Sequence, residues 1–384
     1  MKYCFLTVLL LFLVPSCAYI KNVQLLSGAS IEREDYVQAI PFELRKDLIV
    51  IKARLNSDTV DREFIFDTGA FNSKVEAGLA GSLGLPVVTE KTNSTAQGLS
   101  QRIEVVRIDS LRLGETSVYS LGAGKVNYGP DSASPCIAES GIIGANLIKL
   151  AHWKIDYAAR MLYFSDKPFS PAEGSYALPF SRPTLSGTPS VALGINGREA
   201  SNILFDVGYN GGLVLPLSLA DRIPGQLSRV LLDKSTSGIY GSNADSLLVK
   251  HLPVNVGGYE ATIPVSFSAL NKALLGNEFL KHFTVLIDYD EDMIFLEARE
   301  PVVVEEPGTF LVGIADEDHW VVSRREASLP LQLGDSLLYV NGMKPGDLYS
   351  SYCSYFYGVR ELLAADSLHL LTADGREYVL HAGE

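Results

Sequence analysis

Two aspartates each close an apolar run with the pattern Asp-x-Gly: Phe64-Ile65-Phe66-Asp67-Thr68-Gly69 and Ile203-Leu204-Phe205-Asp206-Val207-Gly208. A strand ending this way sets a carboxylate at its tip, on a turn where glycine takes backbone angles closed to other residues. One such turn is ordinary punctuation. Two of them, brought face to face, form a carboxyl pair that cannot ionise twice cheaply and therefore shares a proton. The ionised member would take a proton from water while the protonated one hydrogen-bonds to a scissile carbonyl, which hydrolyses an amide without a metal or a covalent intermediate. The two titrations would belong to the pair, not to either residue.

The elements that must position the pair are themselves duplicated. Ala39-Ile40-Pro41-Phe42 recurs as Ala177-Leu178-Pro179-Phe180, and Pro41 precedes Asp67 by 26 residues where Pro179 precedes Asp206 by 27. Leu111-Arg112-Leu113-Gly114 matches Val254-Asn255-Val256-Gly257, and Ile142-Ile143-Gly144-Ala145-Asn146 matches Leu274-Leu275-Gly276-Asn277-Glu278. From each of those glycines to an Asp-Tyr pair, Asp156-Tyr157 and Asp288-Tyr289, the spacing is 12 residues in both copies. Repetition of ordered landmarks at a period of one domain predicts two related units. Period-two runs such as Leu48 to Arg54, Val105 to Leu113 and Val285 to Leu296, separated by Gly, Asn and Asp turns, make both units mainly β. Short helices are expected at Glu76 to Leu83 and Leu217 to Arg222. The division that follows is 19–166 for the first lobe, a proline-rich crossing at 167–189, 190–299 for the second lobe, a linker at 300–307 and a distinct unit at 308–384.

Phe66-Asp67-Thr68-Gly69-Ala70 with the downstream Ile142-Ile143-Gly144 resembles the active-site signature of pepsin-like and retropepsin-like aspartic proteases. Phe205-Asp206-Val207-Gly208, continuing through Leu213-Val214-Leu215-Pro216, resembles the same run, so the likeness spans about residues 39–298. It implies two β-barrel lobes with Asp67 and Asp206 as the catalytic pair, and Thr68, Gly69, Val207 and Gly208 as the active-site loops. Supporting turns are implied at Gly144 and Gly276, and flap candidates at Gln97, Gly98 and Gly238. The family places Thr or Ser after each aspartate to tie the loops together; Val207 has no hydroxyl to offer. In the last unit, Leu331 to Gly342 resembles the Gly-Asp…Val-Asn-Gly core of PDZ domains, which implies a PDZ-like β/α domain binding peptides as an added strand near Gly308 to Gly313. The alternative for this unit is a hairpin packed on the lobes with no ligand of its own.

Composition agrees with a folded, exported chain. With 384 residues, 47% apolar and 20% charged, large cores can form. A net charge of −13 without a basic stripe excludes nucleic acid as a partner. Met1-Lys2-Tyr3-Cys4 followed by Phe5 to Val14 has the form of a secretion signal within 1–18, and Val14-Pro15-Ser16-Cys17 allows either acylation of Cys17 as in a bacterial lipobox or ordinary cleavage at small residues. The periplasm or cell envelope is the expected location, with the membrane touched only through a lipid anchor. Cys136 and Cys353, in different predicted domains, read as inert buried thiols without a disulfide framework. The six histidines show no metal-ligand spacing, so no metal or cofactor is expected. Gly122-Ala123-Gly124-Lys125 lacks the Walker spacing and reads as a flexible loop.

Three functions compete on this reading. The first is a monomeric exported aspartic endopeptidase acting on peptide or unfolded protein, with a PDZ-like recruiting module. The second is a degenerate protease scaffold that binds extended peptides, Val207 being its mark. The third is an envelope scaffold whose PDZ-like unit supplies the function.

Overall fold

The computed structural model describes residue 25 and residues 28–31, 34–183 and 185–381. The signal segment 1–18 and Cys17 lie outside the described residues. The fold is mainly β. Its centre is a six-stranded antiparallel sheet shared by both lobes, in the order Val37–Arg45, Met161–Ser165, His152–Asp156, Phe283–Asp288, Met293–Ala298, Tyr176–Ser181. The duplicated landmarks sit at matching places on it. Pro41 faces Met161 as Pro179 faces Met293, and the seam pairs Trp153 with Ile287 and Ile155 with Val285.

Each outer strand changes partner next to its proline and enters its own lobe. Phe42 pairs with Ile51, and Phe180 with Val191. A proline donates no backbone hydrogen bond, so it is tolerated where one ladder ends and the next begins. The stretch 167–189, expected to be a crossing, therefore carries the strand Tyr176–Ser181 as a full member of the shared sheet. Its prolines suggested only a crossing between lobes, but Pro179 occupies an edge where no N–H is required.

Within each lobe the aspartate-bearing strand runs parallel to a short downstream strand. Arg62–Phe66 pairs with Gly141–Ile143, and Arg198–Phe205 with Leu274–Leu275. The segment after each aspartate, Lys74–Glu76 or Leu213–Pro216, then lies antiparallel on the far side of that short strand. Both copies thus insert the later short strand between two earlier segments in the same way. Glu76 caps the helix Ala77–Ser82, its carboxylate accepting from the N–H groups of Gly78 and Leu79 at 2.8 and 2.7 Å. The second expected helix shortens to a 3-10 turn, Leu217–Leu219, because Pro216 at its start has no side-chain acceptor to cap it.

One apolar core runs through both lobes and the shared sheet, with Trp153 between Phe66 and Phe164 at ring separations of 4.9 and 5.0 Å. The C-terminal unit has its own core around Val312, Trp320, Leu337, Val340 and Leu370. It is fastened to the lobes at two places. Leu231–Asp233 of lobe two pairs with Arg324–Glu326, and the Arg324 guanidinium reaches the buried Asp233 carboxylate at 2.9 Å. The helix Tyr352–Leu362 lies on lobe one, where Tyr357 donates to the Cys136 carbonyl at 2.8 Å and Cys353 forms a disulfide with Cys136. The expectation of two free thiols is therefore wrong. Residues 217 positions apart are joined because the docked helix delivers Cys353 to the short helix Ser134–Ile137, a tertiary contact no local pattern encodes. Among the described residues no helix is long and apolar enough to cross a membrane, and no group of His, Cys, Asp and Glu could hold a metal ion.

Candidate active site

Asp67 and Asp206 stand at the ends of the two matching parallel strand pairs. The backbone N–H of Asp67 donates to the Ile143 carbonyl at 3.0 Å and that of Asp206 to the Leu275 carbonyl at 2.9 Å. The short strands just before Gly144 and Gly276 thus fix both aspartates alike. Gly144 and Gly276 pack against the chain just beyond each Asp-x-Gly: a Cβ on Gly144 would lie 2.6 Å from the Asn72 backbone, and one on Gly276 2.4 Å from the Gly211 carbonyl.

The two loops meet face to face. A Cβ on Gly69 would fall 2.4 Å from the Asp206 carboxyl carbon, and one on Gly208 would fall 2.1 Å from that of Asp67. Each glycine leaves the space that the opposite carboxyl occupies, so the two carboxyls face one another across the loops. The Asp67 Oδ1 accepts from Ala70 N–H at 2.8 Å and the Asp206 Oδ1 from Gly208 N–H at 2.9 Å. Both residues remain half-buried.

Burial raises both carboxyls above their ordinary range. At Asp67 the nearby Lys74 ammonium opposes the rise, whereas at Asp206 the charge of Asp67 pushes it further up. Burial and mutual proximity together hold one proton on the pair.

Thr68 ties the loops from one side alone. Its buried hydroxyl donates to the Phe205 carbonyl at 2.6 Å and accepts from the Val207 N–H at 3.1 Å. Val207 is fully buried in the core and contributes no matching bond from its side chain. A substitute for part of the missing tie comes from Asn277, whose amide donates to the carbonyls of Val207 and Asp47 at 2.7 and 2.6 Å and accepts from the Tyr157 hydroxyl at 2.6 Å. Lobe-one residues Asp47 and Tyr157 are in this way bound to the Asp206 loop.

Gln97, Gly98 and Gly238, drawn from distant parts of the sequence, lie together. Gly98 sits at φ 75° in the turn joining Val87–Ser94 to Ser100–Leu113. A Cβ on Gly238 would lie 2.2 Å from the Gln97 Oε1, and Asn93 donates to the Tyr240 hydroxyl at 2.9 Å. The lobe-one hairpin therefore touches the lobe-two segment Ser237–Gly238 and its neighbours.

Two lysines near the dyad were not singled out from the sequence. Lys74, seven positions after Asp67, is only 7% exposed and donates to the Asn72 carbonyl at 3.1 Å. Lys91, on the hairpin, donates to the Asn72 side-chain oxygen at 2.5 Å and lies 5.4 Å from the centre of the Phe71 ring. Burial lowers both ammoniums, Lys91 to about 8 with Lys74 adding to the effect, while Asp67 raises Lys74 in part. A signal existed: the second copy has Leu213 seven positions after Asp206, so Lys74 is a charge at a place where the repeat puts an apolar core residue.

A family model described as aspartyl protease matches residues 51–147, the stretch that holds Asp67 to Gly69 and Ile142 to Gly144. It supports peptide hydrolysis as the chemistry of this fold. No curated protein matches the chain.

Proposed function

We propose that the protein is an exported aspartic endopeptidase that uses a single-chain Asp67–Asp206 dyad on extended polypeptide. The observation that carries this reading is the reciprocal seat of each carboxyl on the other loop's glycine, which makes two distant residues one titrating pair. Water held between the carboxyls gives a proton to the ionised member of the pair and attacks the scissile carbonyl, whose oxygen takes the hydrogen bond of the protonated member. Collapse of the tetrahedral intermediate passes a proton to the leaving nitrogen. The hairpin around Gln97 and Gly98 and the segment at Gly238 cover the peptide.

Export rests on the N-terminal sequence pattern, and a disulfide between Cys136 and Cys353 supports an oxidising compartment. Lipid attachment at Cys17 and residence in the periplasm or envelope belong to the same proposal. The C-terminal unit acts as a PDZ-like module that orients substrate. Its first strand, Phe310–Ile314, lies beside the helix Tyr352–Leu362, where an incoming peptide strand would meet the Tyr355 hydroxyl already bonded to the Val312 carbonyl at 2.7 Å.

The test is cleavage of a denatured polypeptide by the purified protein from mildly acidic to neutral pH, with Val207→Thr alongside. Wild type is expected to cut best on the acid side at a specific rate independent of protein concentration, and Val207→Thr to equal or exceed it. Cleavage by Val207→Thr but not by wild type would make the natural chain a degenerate, peptide-binding relative. A rate that requires a dimer would overturn the single-chain dyad.

A further inference from the structure

The lysine pair beside the dyad brings more positive charge than the hydrolytic chemistry requires, although Lys74 lowers the Asp67 carboxyl. Water activation by two carboxyls needs a shared proton, not two ammoniums at the edge of the site. Lys74 and Lys91 nevertheless converge on one residue, Asn72, which is itself fully buried: Lys74 binds its backbone carbonyl and Lys91 its side-chain oxygen. Both partners are neutral. Among the described residues the only opposite charge acting on Lys74 is Asp67, and neither ammonium forms an ion pair. When both lysines are protonated, a dyad that holds one proton carries one negative charge against two positive ones, and the site keeps an uncompensated positive charge. Buried charges of this kind are costly unless a partner arrives.

The placement says where that partner would lie. Lys74 begins the strand that follows the Asp67 loop, and Lys91 sits on the hairpin that reaches toward lobe two. Along that hairpin Asn93 and Gln97 are buried and Lys91 is half-buried, whereas Glu90, Thr92 and Ser94 are exposed, so Lys91 belongs to the inward row. The half-exposed Phe71 ring lies beside Lys91. A carboxylate entering along the hairpin would reach Lys91 first and Lys74 behind it. No counterpart exists on lobe two, where Leu213 takes the place of Lys74.

We propose that Lys74 and Lys91 form an anionic subsite on the lobe-one side of the dyad, which selects polypeptide substrates with Asp or Glu close to the cleaved bond. This deepens the endopeptidase reading and rests on it. The acidic side chain replaces the neutral Asn72 contacts with charge-assisted hydrogen bonds and brings the site to electrical balance. On a chain with net charge −13, the subsite is a local reversal of sign that distinguishes the cleft from the surface around it.

The experiment compares matched peptides that differ only in Glu or Gln at each position within two residues of the bond cut in a denatured polypeptide. Wild type is expected to favour Glu at one of these positions by at least about tenfold in kcat/KM, the worth of one charge-assisted contact. Lys91→Gln and Lys74→Met should each bring the Glu-to-Gln ratio close to one, and Lys91→Glu should turn the preference toward Lys at that position. Lys91 is half-buried, so its variants keep the test alive if Lys74→Met does not fold. A wild-type ratio near one at every position, or a ratio that both neutral variants retain, overturns the subsite. If wild type cuts nothing, the endopeptidase reading fails separately, and fluorescence anisotropy with the same peptides decides the subsite. Tighter binding of the Glu peptide that Lys91→Gln abolishes would keep it, whereas equal or absent binding would overturn it.

Discussion

Asp67→Asn and Asp206→Asn are each expected to lower kcat/KM for peptide cleavage by about 10²–10⁴-fold, the range that positioned proton transfer contributes. They should also stabilise the fold at neutral pH. Both carboxyls titrate above their unfolded values, so the native state binds more protons than the unfolded chain. The stability that this protonation contributes is complete below the unfolded pKa, about 3.9, and is lost as pH rises through the higher folded values. Asn never ionises and escapes that loss. The variants should therefore gain on the order of 1 kcal/mol near neutrality, a modest figure because the half-buried pair is partly screened by solvent. The gain should vanish at strongly acidic pH. Thermal unfolding of wild type and both variants across this range checks the sign, and a uniform loss of stability at every pH would contradict the shared-proton dyad.

Removing the bond between Cys136 and Cys353 is expected to have the largest effect on stability of any single change considered. The bridge closes a loop of 217 residues, and chain-entropy reasoning for so long a loop gives a loss on the order of 5 kcal/mol as an upper figure. Cys136→Ser with Cys353→Ser should release the helix Tyr352–Leu362 from lobe one before the lobes unfold. Weakened hydrogen-exchange protection should then appear in that helix and around Lys46, whose ammonium lies 5.7 Å from the Phe356 ring centre. The pairing with Arg324–Glu326 should hold the rest of the unit in place. Reductant should reproduce the shift in wild type and change nothing in the double variant. Two alkylatable thiols in the untreated protein, or indifference to reductant, would contradict the latch.

The repetition of the sequence made much of this legible. Asp67 and Asp206, their glycines, and the Gly144 and Gly276 turns could be paired because both copies conserve order and spacing, and the same spacing locates the outer strands of the shared sheet. What stayed hidden falls into two kinds. The disulfide and the Asn277 bridge depend on surfaces brought together only by the complete fold, across 217 residues in one case and between lobes in the other. Lys74 was hidden for the opposite reason. Agreement between copies says nothing of a position where a charge replaces a core leucine, yet such a departure marks a place where burial is opposed by another requirement. Val207 looked like the loss of a tie. The Thr68 hydroxyl serves both the Phe205 carbonyl and the Val207 N–H, and Asn277 holds the Val207 carbonyl, so the loops remain joined without it.

The central claim, that Asp67 and Asp206 of one chain form one proton-sharing site, is tested most directly by titrating the protein with a pepstatin-like transition-state mimic whose hydroxyl sits between the two carboxyls. Binding measured by calorimetry should saturate at one molecule per chain whatever the protein concentration, be tightest on the acid side of neutrality and be lost in Asp206→Asn. Absence of binding in wild type, saturation at one molecule per two chains, or undiminished affinity in Asp206→Asn would contradict it.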